Sequence, residues 1–386
     1  MAATSRFEFA TATRIVFGSN TAEKELRSIV DSLGITRPIV VTGTAKRYMG
    51  VLKLLPAHEV FEVHGEPTVD VATAGTEQAV TKDCNGVIAI GGGSVLDVGK
   101  VIAALITNGG EPLDYMEVVG KGQKITKPSA PFVAVPTTAG TGAEVTRNGV
   151  LCSPEHRVKA SIRAATMLPN VALVDPTLAL SLPPAATAST GLDAFTQCLE
   201  PFISCLANPL TDAIAKEGLR HGAKSLLRAV RQGDDITARE GMALCSLFGG
   251  LALANAKLGA VHGFAGVLGG WCPGAPHGAI CAVLLPHVIA VNADALKKRA
   301  PGSPLLARYD EVARIITERS NATCEDGVKW IIDLCTELDV PKLSTYGLKE
   351  EDIPTVVEKA AKSSSMKGNS LLLTTDELSD ILRKAL

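Results

Sequence analysis

The order of apolar and polar residues divides the chain into two regions with different sequence patterns. Up to about Pro184, short β-branched runs that end at Gly, Thr or Asp alternate with helical patterns. Continuous apolar runs separated by helices indicate a parallel sheet that is covered on both faces. The predicted strands are Arg14–Phe17, Pro38–Thr42, Gly86–Ile90, Phe132–Val135 and Val171–Val174.

The second region, after Pro184, has a helical pattern and contains no convincing strand. A chain of 386 residues exceeds one ordinary core, so we expect two domains. These are an α/β domain with a Rossmann-like parallel sheet over residues 1–182 and an all-α domain over 183–386. The predicted helices are Ala186–Ser204, Pro209–Arg231, Ile236–Leu258, Pro304–Arg319, Glu325–Leu338, Ile353–Ala361 and Thr375–Leu386.

Composition and charge exclude several classes of protein. A net charge of -2 gives no basic field for nucleic acid or for acidic membranes. Nine scattered cysteines without CxxC spacing indicate a reducing compartment, and the N-terminus lacks the pattern of a secretory signal. Polar residues interrupt the apolar stretch Leu247–Val291, which argues against a membrane span. We therefore expect a cytoplasmic protein without nucleic-acid or membrane partners.

A glycine turn follows one predicted strand. Gly86–Ile90 runs directly into GGGSVLDVGK, residues Gly91–Lys100. Bare backbone and a helix N-terminus suit a phosphate, although a tight turn without a ligand is the alternative. We expect Ser94 to cap the helix and Asp97 to complete a capping-box-like arrangement. Lys100 either forms a surface pair with Asp97 or reaches back toward phosphate or ribose.

A second turn of similar chemistry follows strand Phe132–Val135. It reads PTTAGTGAE, residues Pro136–Glu144, and combines hydroxyl groups with glycines. Ligands of parallel α/β sheets collect at the carboxyl ends of the strands. Two such turns in one sheet favour a dinucleotide over two unrelated tight turns.

GGGSVLDVGK and PTTAGTGAE, in this order, resemble the iron-containing alcohol dehydrogenase family. Further matches cover most of the chain, and only the last hundred residues match weakly. The resemblance implies the architecture shared with dehydroquinate synthase, hydride transfer between a nicotinamide and a small alcohol, aldehyde or ketone, and a homodimer. The additional matching segments are RIVFG, LPNVALVDPTL (Leu168–Leu178), GLDAFTQ (Gly191–Gln197), NPLTD (Asn208–Asp212), VHGFAG (Val261–Gly266) and PHGAICAVLLPHV (Pro276–Val288).

The family that the chain resembles holds its metal with one Asp and three His. By position these ligands fall on Asp193, Gln197, His262 and His277, with His262 on an apolar helix and His277 in a loop. Glutamine is a poor ligand for a transition metal, so its presence should lower metal affinity by about tenfold or more. A weakly bound divalent metal (iron or zinc), a harder ion and an empty site all stay open.

A second departure from the family pattern lies four residues after His262. Relatives often carry a proton-relaying histidine where this chain has Gly266. The segment Gly269–Ala275 is also one residue longer than in many relatives. Trp271 and Cys272 therefore either line the substrate pocket or pack into the core.

The end of strand Pro38–Thr42 bears on the choice of cofactor. NAD-preferring relatives often place an Asp where Gly43 stands, and its absence removes repulsion of the NADP phosphate. Lys46 or Arg47 either pairs with that phosphate or is a solvated surface charge, and we expect NADP to be favoured over NAD. The residues expected to bind the cofactor are Gly43, Lys46, Gly91, Gly92, Gly93, Ser94, Asp97, Thr137, Thr138, Thr141 and Lys159.

The expected function is that of an NAD(P)-dependent alcohol dehydrogenase or carbonyl reductase, with His277, His262 and Asp193 as catalytic residues. Either a metal polarises the carbonyl group or a protonated histidine donates to its oxygen. Three alternatives stay open: a metal-independent enzyme similar to maleylacetate reductase, a catalytically retired dinucleotide-binding protein, and a lyase that resembles dehydroquinate synthase.

Overall fold

The chain divides into two compact units. The computed structural model describes residues 6–156, 158–272 and 274–386. Ala10–Thr138 and Gly142–Ser181 form an α/β unit, whereas Ala139–Thr141 and Leu182–Leu386 belong, with the start of the described chain up to Phe9, to a helical unit. The functional division into domains 1–182 and 183–386 stays a prediction.

The α/β unit contains a six-stranded sheet in which every pairing is parallel, in the order β1-β8-β5-β4-β2-β3. The Rossmann-like parallel sheet is thereby confirmed. The edge strand β3 was not predicted, because its sequence EVFE mixes charged with apolar residues. The strands are β1 (Arg14–Phe17), β2 (Pro38–Thr42), β3 (Glu59–Glu62), β4 (Gly86–Gly91), β5 (Phe132–Pro136) and β8 (Val171–Val174).

Strands β6 (Asn148–Ser153) and β7 (Val158–Arg163) form a separate antiparallel hairpin. This hairpin was also missed by the sequence prediction, since its buried and partly exposed residues alternate within short polar runs. The hairpin packs through β6 against the long helix that follows β4, Gly93–Asn108.

Both faces of the parallel sheet are buried. Successive side chains of a strand point to opposite faces, so Ile39 and Val41 enter one apolar cluster and Val40 the other. This alternation explains why the central strands are apolar at every position. The helices of this unit are α1 (Thr21–Ser32), α2 (Met49–Leu52), α3 (Val69–Thr81), α4 (Gly93–Asn108) and α5 (Pro112–Tyr115).

The helical unit packs around one large apolar core. Its first helix is buried almost all round from Gly191 to Phe202, so the polar residues in that run are unusual and point to function. The helices are α6 (Pro184–Phe202), α7 (Pro209–Arg231), α8 (Ile236–Ala256), α9 (Ala260–Trp271), α10 (His277–Arg299), α11 (Leu305–Thr317), α12 (Cys324–Glu337), α13 (Ile353–Ala361) and α14 (Thr375–Ala385).

Two of these helices, α8 and α10, are long and apolar enough to cross a membrane by length and composition alone. Within the protein, 67% and 78% of their most apolar windows are buried. Their apolar surface is therefore already covered by the helical core, which is the ordinary explanation for such a sequence in a globular protein.

Candidate active site

The two glycine turns lie side by side at the carboxyl edge of the parallel sheet. Strands β4 and β5 are neighbours, with Gly91 opposite Pro136. The amide of Thr137 donates to the carbonyl oxygen of Gly91 over 3.0 Å. The turn at Gly91–Ser94 and the hydroxyl groups of Thr137 and Thr138 are thus on neighbouring strands.

The first turn needs glycine for steric reasons. A Cβ atom at Gly91 would stand 2.6 Å from the side chain of Val95, and one at Gly92 would stand 3.3 Å from Thr138. Helix α4 begins at Gly93 and its N-cap, Gly92, supplies no side-chain hydrogen bond. The first amides of α4 are therefore not capped by that residue, and the helix dipole favours an anion there.

The predicted cap of α4 is wrong. Ser94 lies inside the first turn, because the helix starts one residue earlier at Gly93. The carboxylate of Asp97 instead accepts from the Val150 amide (3.1 Å) and from the Lys100 amine (3.3 Å). The bond to Val150 ties the helix to the β6–β7 hairpin, whereas Lys100 lies on α4 itself.

Lys100 forms the predicted pair with Asp97, but its amine is fully buried and the pair does not lie at the surface. Its Nζ atom donates to Thr146 Oγ1 and to the Asn148 carbonyl oxygen, each over 2.8 Å. Burial lowers the pKa of Lys100, although Asp97 and Glu144 oppose this effect. Burial also raises the pKa of Glu144 to about 7. The Lys100 amine thus links α4 to the start of the β6–β7 hairpin and is not directed toward the glycine turn.

At the outer edge of the sheet, a carboxylate stands beside the predicted ribose position. Glu62 ends β3, in register with Thr42 at the end of β2. Its Oε1 atom accepts from the amide of Ala45, two residues after Gly43, over 2.8 Å. Lys46 is exposed in the following turn. Sequence reasoning missed Glu62, because nothing in the local pattern shows that β3 lies next to β2.

The two remaining predicted cofactor residues occupy different places. Lys159 on β7 pairs with Glu66 over 2.7 Å, within the α/β unit. Thr141 is exposed and belongs to the segment that groups with the helical unit. A role for either residue in binding the cofactor stays a prediction.

The helical unit brings together three of the four predicted metal residues. Asp193 lies on α6, His262 on α9 and His277 at the start of α10. His262 Nε2 is 3.2 Å and His277 Nε2 is 3.9 Å from Asp193 Oδ1. The predicted loop at His277 is wrong: α10 begins at that residue, directly after Pro276 as its N-cap. The fixed φ of proline suits the start of a helix.

A cysteine that was not predicted completes this group. Cys281 Sγ is 3.8 Å from His262 Nε2 and 3.8 Å from His277 Nε2. One potential ligand atom from each of Asp193, His262, His277 and Cys281 lies within 4.8 Å of the others. We call these four residues the donor cluster. Cys281 follows His277 by four residues on one helix, and that spacing was the available signal.

His262 is held from its other side by a buried glutamate. Its Nδ1 atom lies 2.7 Å from Glu200 Oε2, and Glu200 Oε1 accepts from the Val261 amide over 2.7 Å. This second carboxylate fixes the ring so that Nε2 faces Asp193 and Cys281. A carboxylate behind a metal-binding histidine is the usual way to orient such a ligand. The signal in the sequence was a charged residue on the apolar helix α6.

Gln197, the fourth predicted ligand, is buried one turn after Asp193. Its amide nitrogen donates to the carbonyl oxygen of Gly140 over 3.2 Å, and the Ser246 hydroxyl donates to the same oxygen over 3.2 Å. These two bonds hold the segment Ala139–Thr141 within the helical unit. This contact uses the amide nitrogen, and metal binding by Gln197 through its amide oxygen stays a prediction.

The donor cluster is accessible at one member. The side chain of His277 is 42% exposed, whereas those of Asp193 and His262 are almost fully buried. Burial by itself would lower the pKa of His262, but Cys281, Asp193 and Glu200 together raise it well above its usual range. Burial would raise the pKa of Cys281, yet the imidazoles of His262 and His277 lower it. The cluster therefore favours charged, mutually attracting groups.

The donor cluster fits a divalent transition metal. A tetrahedral zinc ion separates its nitrogen, oxygen and sulfur ligands by about 3.3–3.6 Å, given bonds of about 2.0–2.3 Å. Four of the six separations between these atoms are 3.2, 3.9, 3.8 and 3.8 Å, and all six are within 4.8 Å, so small rotamer changes would bring the set to this range. Carboxylate, imidazole and thiolate are the donors that such ions take.

The structure also shows the surroundings of the other residues at which this chain departs from the family pattern. Among the described residues, no heavy atom outside its own backbone neighbourhood lies within 4 Å of a Cβ built at Gly266, so a side chain would have room there. Cys272 is buried, and Trp271 packs on the helical core with Lys359 over its ring. The structure thus gives Trp271 and Cys272 packing roles.

Two family profiles cover nearly all of the chain. The one described as iron-containing alcohol dehydrogenase matches residues 12–176. Its C-terminal counterpart matches residues 187–386. The chain belongs to the iron-containing alcohol dehydrogenase family. The resemblance inferred from the two glycine turns is confirmed.

Individual family members agree over the whole length. Alcohol dehydrogenase 4 of Schizosaccharomyces pombe is 36% identical, over 92% of this chain and 82% of its own. A crystal structure of 1,3-propanediol oxidoreductase has a TM-score of 0.90 at 32% identity and covers 99% of this chain and 100% of that chain. Sulfoacetaldehyde reductase of Bifidobacterium kashiwanohense, solved in complex with NAD+, has a TM-score of 0.87 at 30% identity over 99% of both chains.

Family membership settles the class of reaction. The chain is an oxidoreductase of the alcohol dehydrogenase type that uses a nicotinamide cofactor, as expected from the sequence. The α/β sheet followed by a helical region is the architecture of its structural relatives. Which nicotinamide, metal and alcohol this chain takes are separate questions.

Proposed function

We propose that this chain catalyses reversible hydride transfer between NADP or NAD and a small alcohol, aldehyde or ketone, with NADP favoured. The observation that carries the proposal is the convergence of Asp193, His262, His277 and Cys281 in one partly accessible cluster. We further propose a cytoplasmic homodimer, the state that the family resemblance implies.

The α/β unit would bind the dinucleotide through backbone groups. Its phosphates would lie on the amides of Gly91–Ser94 and the hydroxyl groups of Thr137 and Thr138, where the turns are adjacent. The α4 dipole favours their negative charge. Because no bulky side chain fits at Gly91, the phosphate can approach the main chain closely.

The donor cluster would handle the reacting oxygen. A divalent metal held by Asp193, His262, His277 and Cys281 supplies a Lewis acid when bound, and so stabilises negative charge on that oxygen. Glu200 keeps the His262 ring in one orientation. His277 is the exposed member, so substrate reaches the cluster beside its ring.

The preference for NADP is a balance of opposing charges. Gly43 carries no carboxylate, and the exposed Lys46 stands close by to attract a 2′-phosphate. Glu62, however, places a carboxylate beside the same turn and is 41% exposed. We propose that the basic residues prevail and that Glu62 keeps NAD usable.

The test is turnover at the absorbance band of the reduced nicotinamide with a panel of small aldehydes, ketones and keto acids. We expect activity with both cofactors and a higher kcat/KM with NADPH. Equal values would remove the preference, and strict use of NADH would contradict it. Tight cofactor binding without any turnover would instead favour a retired binding protein.

A metal-independent reductase is the second candidate. It is favoured by the chain of contacts Glu200–His262–Asp193, which is complete without an ion. In this version a protonated His277 donates to the substrate oxygen while hydride reaches the carbon. Full turnover after removal of all metal by a chelator would select this candidate.

A further inference from the structure

The thiol of Cys281 is aimed at the metal-binding imidazoles. Cys281 and His277 are four residues apart on α10, so their side chains leave the same helix face. The sulfur is equally far, 3.8 Å, from the Nε2 atoms of His277 and His262. Most other cysteines of the helical unit lie in the apolar core, away from any histidine contact of this kind.

Gln197 leaves a gap in the donor set that this sulfur can fill. The amide nitrogen of Gln197 donates to the Gly140 carbonyl oxygen, and its amide oxygen is a poor ligand for a transition metal. Of the one Asp and three His that the family resemblance implies, Asp193, His262 and His277 are present. Cys281 brings the number back to four, from a different element and with a different donor atom.

We propose that Cys281 is the fourth metal ligand of this enzyme, in place of the imidazole missing at Gln197, and that the resulting carboxylate–imidazole–thiolate set selects zinc over iron. This inference rests on the metal-assisted form of the proposed function. On binding, the S–H bond breaks, a sulfur–metal bond forms and the proton leaves to solvent. No oxidant or reductant is needed.

The donor chemistry supports zinc. Thiolate is a soft ligand that favours zinc among the ions available to such a site, and zinc accepts mixed sulfur, nitrogen and oxygen shells. The charge also changes: Asp193 and a thiolate neutralise a divalent ion, whereas one carboxylate with three neutral imidazoles leaves a net positive centre. Zinc can add a fifth ligand, so the substrate oxygen still has a place.

The decisive probe is cobalt(II), whose bond to a thiolate produces an intense near-ultraviolet charge-transfer band. The chelator-stripped full-length protein is reloaded with cobalt(II), and absorbance is recorded together with cobalt affinity. We expect the band in the natural protein. Cys281→Ser should lose the band and bind cobalt at least about tenfold more weakly.

The matched control is Cys272→Ser. That thiol is equally buried but lies outside the donor cluster. It should keep both the band and the affinity. Elemental analysis of protein purified without chelator should find near-stoichiometric zinc, and predominant iron would overturn the proposed selectivity.

If circular dichroism shows that Cys281→Ser does not fold, Cys281→Ala replaces it, because alanine keeps a small apolar side chain at this buried position and should lose the band in the same way. A double variant adds a second test. Gln197→His combined with Cys281→Ser recreates the one-Asp, three-His set. It should recover most of the metal affinity and still lack the thiolate band. A band that persists in this variant would exclude Cys281 as its source.

Two further outcomes overturn the inference: cobalt bound by the natural protein without a charge-transfer band, or no cobalt bound at all. Nicotinamide turnover is measured separately on the same samples. Turnover in the stripped protein would leave the oxidoreductase proposal standing while this inference fails. A clear band without turnover on any carbonyl compound would do the reverse.

Discussion

The glycine turns of the α/β unit and the donor cluster of the helical unit are built from different material. The turn at Gly91–Ser94 presents backbone groups and has no room for a side chain at Gly91. Its consecutive glycines can therefore be recognised in the sequence. The donor cluster is made of side chains from α6, α9 and α10, with Asp193 and His262 separated by 69 positions. No local sequence pattern indicates that these side chains come together.

This difference determines how each site can change. A backbone turn has no donor to exchange, since nearly every substitution at Gly91 introduces the same clash with Val95. A side-chain cluster can lose one ligand and take another from a neighbouring helix face. Gln197 and Cys281 have the arrangement that such an exchange would produce.

The largest effect is expected at Lys100, which supports the α/β unit without touching either site. Lys100→Met leaves the buried carboxylate of Asp97 with the Val150 amide but without its cationic partner. Removing one member of a buried pair costs about 3–5 kcal/mol, so the free energy of unfolding should fall by that amount. Denaturant unfolding measures it.

Lys298→Met is the control for this change. Lys298 pairs with Asp294 on the surface and is 71% exposed, so its loss should cost less than about 1 kcal/mol. Metal affinity should be unchanged in both variants. A comparable loss of stability in the two would contradict the structural role assigned to Lys100.

The second effect tests whether the turn depends on bare backbone. Gly91→Ala places a Cβ atom 2.6 Å from Val95 and must displace the first turn of α4. A hydrogen bond to a charged group contributes about 1.5–3 kcal/mol, so the loss of one phosphate contact should raise the Kd for NADPH about 10-fold to 100-fold. Cofactor fluorescence reports the change.

Gly50→Ala is the matched substitution in the same unit. A Cβ at Gly50 meets no atom of the described chain within 4 Å, and the residue lies in α2. It should leave the Kd for NADPH unaltered. If Gly91→Ala also binds NADPH normally, the phosphates do not rest on this turn.

The third effect concerns the donor cluster. Glu200→Gln removes the negative charge behind His262 while keeping a hydrogen-bond acceptor of the same shape. Loss of such a supporting group lowers metal affinity about 10–100-fold. Competition with a chelator measures zinc affinity, and Glu217→Gln on exposed α7 surface is the control. The Kd for NADPH should stay constant, which separates the two regions.

The smallest effect concerns the cofactor balance at the sheet edge. Glu62→Gln removes a half-exposed carboxylate beside Gly43. Exposed charge pairs contribute about 0.2–1 kcal/mol, so the ratio of kcat/KM for NADPH over NADH should rise about twofold to fivefold and shrink in high salt. Glu59→Gln, at the opposite end of β3, should leave the ratio unchanged.

Sequence patterns predicted the parts of the fold that carry strong periodicity. The buried strands and the long helices stand out because each must cover an apolar face, and α7 and α13 have the predicted bounds. Strand β3 and the β6–β7 hairpin were missed because their polar positions imitate loops. Their pairing is decided by tertiary neighbours.

The residues of the candidate site could be predicted only where a family motif marks them. Asp193, His262 and His277 are visible through family motifs, whereas Cys281 was interpreted only as a small apolar residue of a buried helix. Its role depends on how α9 and α10 pack. The capping role assigned to Ser94 failed for a smaller reason, since helix starts are uncertain by a residue.

The hydrogen bond from Gln197 to Gly140 also bears on what a histidine at this position would do. Gln197→His would lose the amide that donates to Gly140 and would bring a further donor to a centre for which four groups are already at hand. In the proposed centre, the residue that is spared from metal binding thus serves to anchor the segment Ala139–Thr141.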